Sequence, residues 1–142
     1  MNITDYVWEW AFQKEERLVF SLFSFGEALE LLSCDPLLQI DTLEGECPFL
    51  TLWYNCCCEV LSFREKLNNR SLSSFYDEEL HNALDVLSQS FEELTINECA
   101  EGTVDILYMN GWCKIRSLSK LPLTLIHWEL LRELKGGLYK VL

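Results

Sequence analysis

The sequence predicts a helix-rich α+β protein, with about four to five helices and a small antiparallel sheet built on a β-hairpin at residues 103–117. Three observations carry this expectation. Apolar residues recur every three or four positions through three long segments, an Asn110-Gly111 dipeptide sits between two apolar-rich runs, and the three prolines, Pro36, Pro48 and Pro122, fall where loops are expected. No repeat, low-complexity tract or linker divides the chain, so a single domain over residues 1–142 is expected.

The elements follow in order. Residues 1–12 fit a helix opened by an Asn2 or Thr4 cap, with Ile3, Val7 and Trp10 on one face, although Tyr6, Trp8, Trp10 and Phe12 also alternate as a strand would. From Lys14 to Ser33, Leu18, Leu22, Phe25, Leu29 and Leu32 step by four and three, with Val19 and Phe23 widening the stripe. A helix apolar over so much of its girth belongs at the centre of a fold. Residues 34–47 read as a loop, and Pro48 opens a second helix carrying Phe49, Trp53, Cys56, Val60, Phe63 and Leu67. Ser73 or Ser74 caps a third, with Ser74 and Asp77 spaced as a capping box and Leu80, Leu84, Leu87, Phe91 and Leu94 as its seam.

Asn-Gly tolerates the two positive φ angles of a type I′ turn, so 103–109 and 112–117 are expected to pair as a hairpin. Its register sets Ile106 against Ile115 and Asp105 against Arg116. Thr124 caps a last helix carrying Ile126, Leu130 and Leu134, which Gly136-Gly137 stops. Residues 138–142 then return as a short strand beside the hairpin.

The chain has 142 residues, is 49% apolar and bears 23 acidic against 11 basic residues, a formal net charge of -12. Its aromatic content sets it apart from a disordered acidic tail. Binding to nucleic acid is not expected, because phosphate is read through clustered Lys and Arg. The longest apolar stretches, 18–32 and 48–63, are interrupted by polar residues and shorter than the roughly 20 residues a spanning helix needs, so no membrane association is expected. No export signal is visible, and seven cysteines without framework spacing point to reduced thiols and a cytoplasmic location.

No motif names a chemistry. Zinc sites want repeated ligand pairs, whereas Cys56, Cys57 and Cys58 are consecutive and diverge by about 100° on a helix; neither a metal nor another cofactor is expected. His81 and His127 are the only candidate bases for a thiol nucleophile, and no glycine run cradles phosphate, so the chain reads as non-enzymatic, without catalytic residues.

The charge map is more informative. Residues 18–63 hold seven acidic and no Lys or Arg residues, residues 71–113 hold nine and none, and residues 114–142 carry a local net of +4. On a helical wheel Glu78, Asp85, Glu92 and Glu93 cluster opposite the third helix's seam, beginning at Asp77, and Asp41, Glu44 and Glu46 extend the acidic region. Like charges without interspersed cations repel, and a basic partner offsets that cost. The expectation is a non-catalytic acidic protein that neutralises a basic protein partner, after the manner of an immunity protein or antitoxin against a nuclease toxin. Here Asp77, Glu78, Asp85, Glu92, Glu93, Asp41, Glu44 and Glu46 supply charge and Trp112, beside the turn, the aromatic anchor. This analogy is one of charge and not of motif. Two alternatives are a helical adaptor gripping a partner through an apolar groove, and a phage or viral inhibitor that imitates nucleic-acid charge.

Overall fold

The computed structural model describes residues 2–42, 52–72, 74–94 and 110–142, and among them all regular structure is helical. The order is α1 (Ile3–Phe12), α2 (Glu16–Ser33), α3 (Pro36–Thr42), a π-helical turn (Leu52–Cys57) running into α4 (Cys58–Asn68), α5 (Glu78–Glu92), α6 (Asn110–Leu118), α7 (Lys120–Leu125) and α8 (Trp128–Val141).

α1 is fixed at its start by a capping box. The Asn2 side chain accepts from the amides of Thr4 and Asp5 at 3.1 and 3.3 Å, while Asp5 accepts from the Asn2 amide at 3.1 Å. Its inner face buries Ile3, Val7, Trp10 and Ala11. α2 buries Val19, Leu22, Phe23, Phe25, Gly26, Ala28, Leu29 and Leu32, and packs against α1, the π turn, α4, α6 and α7. Phe25 stacks on Phe63 of α4 with ring centroids 4.0 Å apart.

The segment expected as a loop at 34–47 instead forms α3 over its first part, with Pro36 at the helical position that needs no amide donor. From α3 the buried Gln39 donates its amide to the carbonyls of Leu31 and Leu32, at 2.9 and 3.3 Å. These are last-turn carbonyls of α2; the Leu31 carbonyl also accepts from the Cys34 amide of the helix's own C-cap at 3.2 Å, so the Gln39 side chain adds to that bonding and ties α3 back onto α2.

α5 starts one turn later than the serine caps imply. Asp77 is the N-cap and accepts from the Leu80 amide at 3.2 Å, whereas Ser74 takes a left-handed backbone with φ 74°.

Among the described residues the expected sheet is absent. Asn110 and Gly111 form the first turn of α6, and Trp112 and Ile115 are buried along one side of it, with Ser119 buried just past its end. Strand geometry would send Trp112 and Ile115 to opposite faces, while helical spacing brings both to the core, and burial decides between them. The other arm, 103–109, lies outside the described residues. The C-terminal strand is likewise replaced by helix. α8 passes through Gly136-Gly137 to Val141, although each glycine costs about 1 kcal/mol relative to alanine. The buried Trp128, Leu131 and Leu138, with Leu134 half-buried, keep a helical seam across the pair.

α8 seats on α2 through one contact that requires glycine. An added Cβ at Gly26 would lie 2.1 Å from the Trp128 ring, so the indole occupies the space of a missing side chain. The same indole donates its N–H to Glu30 of α2. Gly26→Ala should therefore destabilise the protein by about 1–3 kcal/mol, the usual cost of overpacking a filled site. Urea unfolding monitored by tryptophan fluorescence checks this, and a stability equal to wild type would show that Trp128 does not depend on Gly26.

Candidate functional site

The candidate site is the solvent face of α5. The helix buries Leu80, Leu84, Leu87, Ser88, Ser90 and Phe91 against α4, α6 and α7, which leaves its opposite side to water. Glu78, Glu79, Glu92 and Glu93 are exposed and Asp85 is half-buried. At seven-residue spacing Glu78, Asp85 and Glu92 form one row, and Glu79, Val86 and Glu93 a second, with Asn82 and Gln89 between them. Val86, 48% exposed, is the apolar point in this acidic field.

Neighbouring helices neutralise part of the ridge. Arg64 of α4 donates Nε to Asp85 Oδ1 at 2.8 Å, and Lys114 of α6 meets Glu93 at 3.0 Å. His81 adds a second contact on Asp85, Nε2 to Oδ2 at 3.1 Å, while its Nδ1 lies 2.5 Å from Asn68 Oδ1. Asp77 is occupied as the helix cap. Glu78, Glu79 and Glu92 remain without a basic partner among the described residues.

The chain-level dipole is also folded back on itself. Lys135 and Arg132 of α8 pair with Glu27 and Glu30 of α2 at 2.9 and 3.2 Å. The hydrogen bond that the Lys135 ammonium donates to Glu27 raises its pKa above the ordinary value, against the opposing pull of desolvation. Two of the six C-terminal cations are thus spent on α2.

Several sequence expectations change place. Trp112 is only 2% exposed, so it is a core residue rather than an interface anchor: the helix replacing the hairpin turns its ring inward. Asp41 lies on α3, and Glu44 and Glu46 lie outside the described residues. The sequence reading passed over Glu79 and Val86, although the seven-residue row Glu79-Val86-Glu93 was available to it. Arg64 and Lys114 reach the ridge from other helices, which the periodicity of α5 does not register.

Among the cysteines, Cys56 is buried and its thiol is pushed up to about 12, chiefly by desolvation and then by Glu59. Cys34, whose thiol donates to the Glu30 carbonyl at 3.1 Å, is also raised, by burial first and then by Glu30 and Asp35. Both stay protonated at neutral pH. An open cleft of about 560 Å³ lies between Glu30 and α7–α8, bordered by Leu123, Thr124, His127, Trp128 and Leu130. Among the described residues no three His, Cys, Asp or Glu side chains converge to hold a metal ion. No described helix is long and apolar enough to cross a membrane. No protein-family model matches the chain, and neither does any curated protein or solved structure.

Two outcomes follow. Because the Cys56 thiol lies above its value in an unfolded chain, its contribution to stability is complete below pH 9.0 and is lost as pH rises toward 12. Peptide mapping after iodoacetamide treatment at pH 8 should find the exposed Cys58 modified while Cys56 stays intact; equal labelling of the native protein would contradict its burial. Arg64→Met should cost about 0.2–1 kcal/mol, since both partners of the Arg64–Asp85 pair are partly exposed, at 33% and 40%. Chemical denaturation of the variant measures it.

Proposed function

We propose that this protein is a non-catalytic acidic binding protein that neutralises a basic protein partner through the exposed face of α5, as an immunity protein or antitoxin does with a nuclease toxin. The observation that supports this reading most is the set Glu78, Glu79 and Glu92. These three carboxylates stand in water on a helix with no Lys or Arg of its own and receive no cation from its neighbours among the described residues. An ordinary solvated helix face intersperses both signs, which relieves repulsion. Here the relief stops at Asp85 and Glu93, and the remaining charge is complementary to a basic surface. Such complementarity speeds encounter and suppresses wrong partners.

Val86, between Glu79 and Glu93, supplies the apolar contact that charge alone lacks. A nuclease cleft built to hold phosphate is the partner chemistry that this face would suit. The proposal includes a cytoplasmic location, supported by an odd number of cysteines without paired spacing.

The test is capture of partners from a lysate of the native host at low and moderate salt. The wild-type protein should retain a basic protein whose binding weakens as salt rises, since about 0.15 M ionic strength screens exposed charges beyond roughly 8 Å. Replacing Glu78, Glu79 and Glu92 by Gln should abolish that capture while the circular dichroism spectrum is unchanged. Glutamine is preferred to lysine because Glu78 and Glu79 lie in the first turn of α5, where a cation would oppose the helix dipole. The matched change at Glu9, Glu16 and Glu65 removes equal charge elsewhere and should leave capture intact. Retained binding by the α5 variant, or equal loss in both triple variants, would sink the proposal.

A further inference from the structure

The outer face of α8 is exposed along Glu129, Glu133, Gly136, Gly137 and Lys140. Aromatic rings stand on both of its flanks. On one side Trp8, which a Cβ on Gly137 would meet at 3.5 Å, stacks on Phe12, itself 67% exposed. On the other, Tyr139 meets Phe20 edge-on at 5.3 Å, the two being 39% and 44% exposed. Large aromatic rings left in water on an acidic protein mark a surface that another molecule covers.

We propose that α8 is a self-association face, on which a second copy of this chain packs its own α8 antiparallel across a two-fold axis centred on Gly136-Gly137. The charge pattern selects this occupant. Glu133 and Lys140 lie seven residues apart, about 10.5 Å along the helix, and the midpoint between them falls on the glycine pair. An antiparallel copy centred there sets Glu133 of each chain against Lys140 of the other, as an isologous interface requires. Neither residue has an ion-pair partner among the described residues. Glu129, Glu133 and Lys140 leave the face a net charge of only -1 in a chain of net charge -12, so two copies meet there with little repulsion.

The glycines fit the same geometry. Among the described residues a Cβ at position 136 would meet nothing within 4 Å and one at 137 would make only an ordinary contact with Trp8, so no described neighbour demands glycine at either position. Two helices crossing at bare backbone approach closely, which brings the flanking rings of one copy within reach of the other.

Sedimentation equilibrium of the full chain over a wide concentration range tests the proposal. The expected species has twice the 16.6 kDa mass of the chain. Glu133→Lys and Lys140→Glu should each weaken association by about tenfold or more, because each turns two symmetry-related attractions into repulsions. The double exchange E133K/K140E should restore it. Gly136→Leu, which improves helix propensity and meets no described neighbour within one chain, should abolish it with the circular dichroism spectrum retained. A single-chain mass at every concentration overturns the proposal, as does a dimer indifferent to the single exchanges or a double exchange no stronger than the singles.

Discussion

The rest of the molecule depends on the absence of a side chain at position 26. α2 packs against α1, the π turn, α4, α6 and α7, and α8, which packs mainly on α1 and α7, meets it where the Trp128 ring lies in the place of a Cβ of residue 26. That approach is the close contact between the two helices. It brings the indole N–H to Glu30, and it aligns Arg132 and Lys135 with the carboxylates of α2. The outward face of α8, with its glycine pair, follows from the same seating. The end of α2 is tied to α3 by Gln39, whose amide donates to the Leu31 and Leu32 carbonyls, so both the middle and the end of α2 are held by residues outside its own stripe.

Charge in this protein is distributed by folding more than by sequence position. The acidic 18–63 stretch and the basic C-terminal segment meet in space, and their pairing removes much of the dipole that the linear map suggests. The α5 ridge receives the same treatment from Arg64 and Lys114, but incompletely. What the helices leave unpaired is a smaller and more local acidic surface than the net charge implies. The α5 and α8 faces differ in kind: one carries a single sign, the other both signs at a spacing that a two-fold axis can match.

Periodicity made the helices legible where their stripes were long. α2 and the seam of α5 can be read residue by residue from the recurrence of Leu and Phe, and capping chemistry narrows the start of α1 to Asn2 or Thr4, of which the structure uses Asn2. Reading failed where a strong local rule competed with a short pattern. Asn110-Gly111 is an emphatic turn signal, yet Trp112 and Ile115 outweigh it by reaching the core together from one side of a helix. The glycine pair of α8 was taken as a stop because its propensity cost is visible in sequence, whereas the burial of Leu138 beyond it is a property of the packed protein. The helical wheel gathers the acidic residues of α5 on one side, but their partial neutralisation is invisible to it, since Arg64 and Lys114 are each 21 residues from the carboxylates they meet.

The pairing of α2 with α8 has a further consequence for how the chain is made. Lys135 follows Glu27 by 108 residues, and Trp128 follows Glu30 by 98. At about 5–20 residues per second, a ribosome releases α2 some 5–20 seconds before the helix that covers Gly26 and neutralises its carboxylates. Through that interval the broadest apolar surface of the protein is without its lid. The Glu27 and Glu30 carboxylates, which later pair with Lys135 and Arg132, are then still bare, so the emerging α2 is more acidic than the helix of the finished fold.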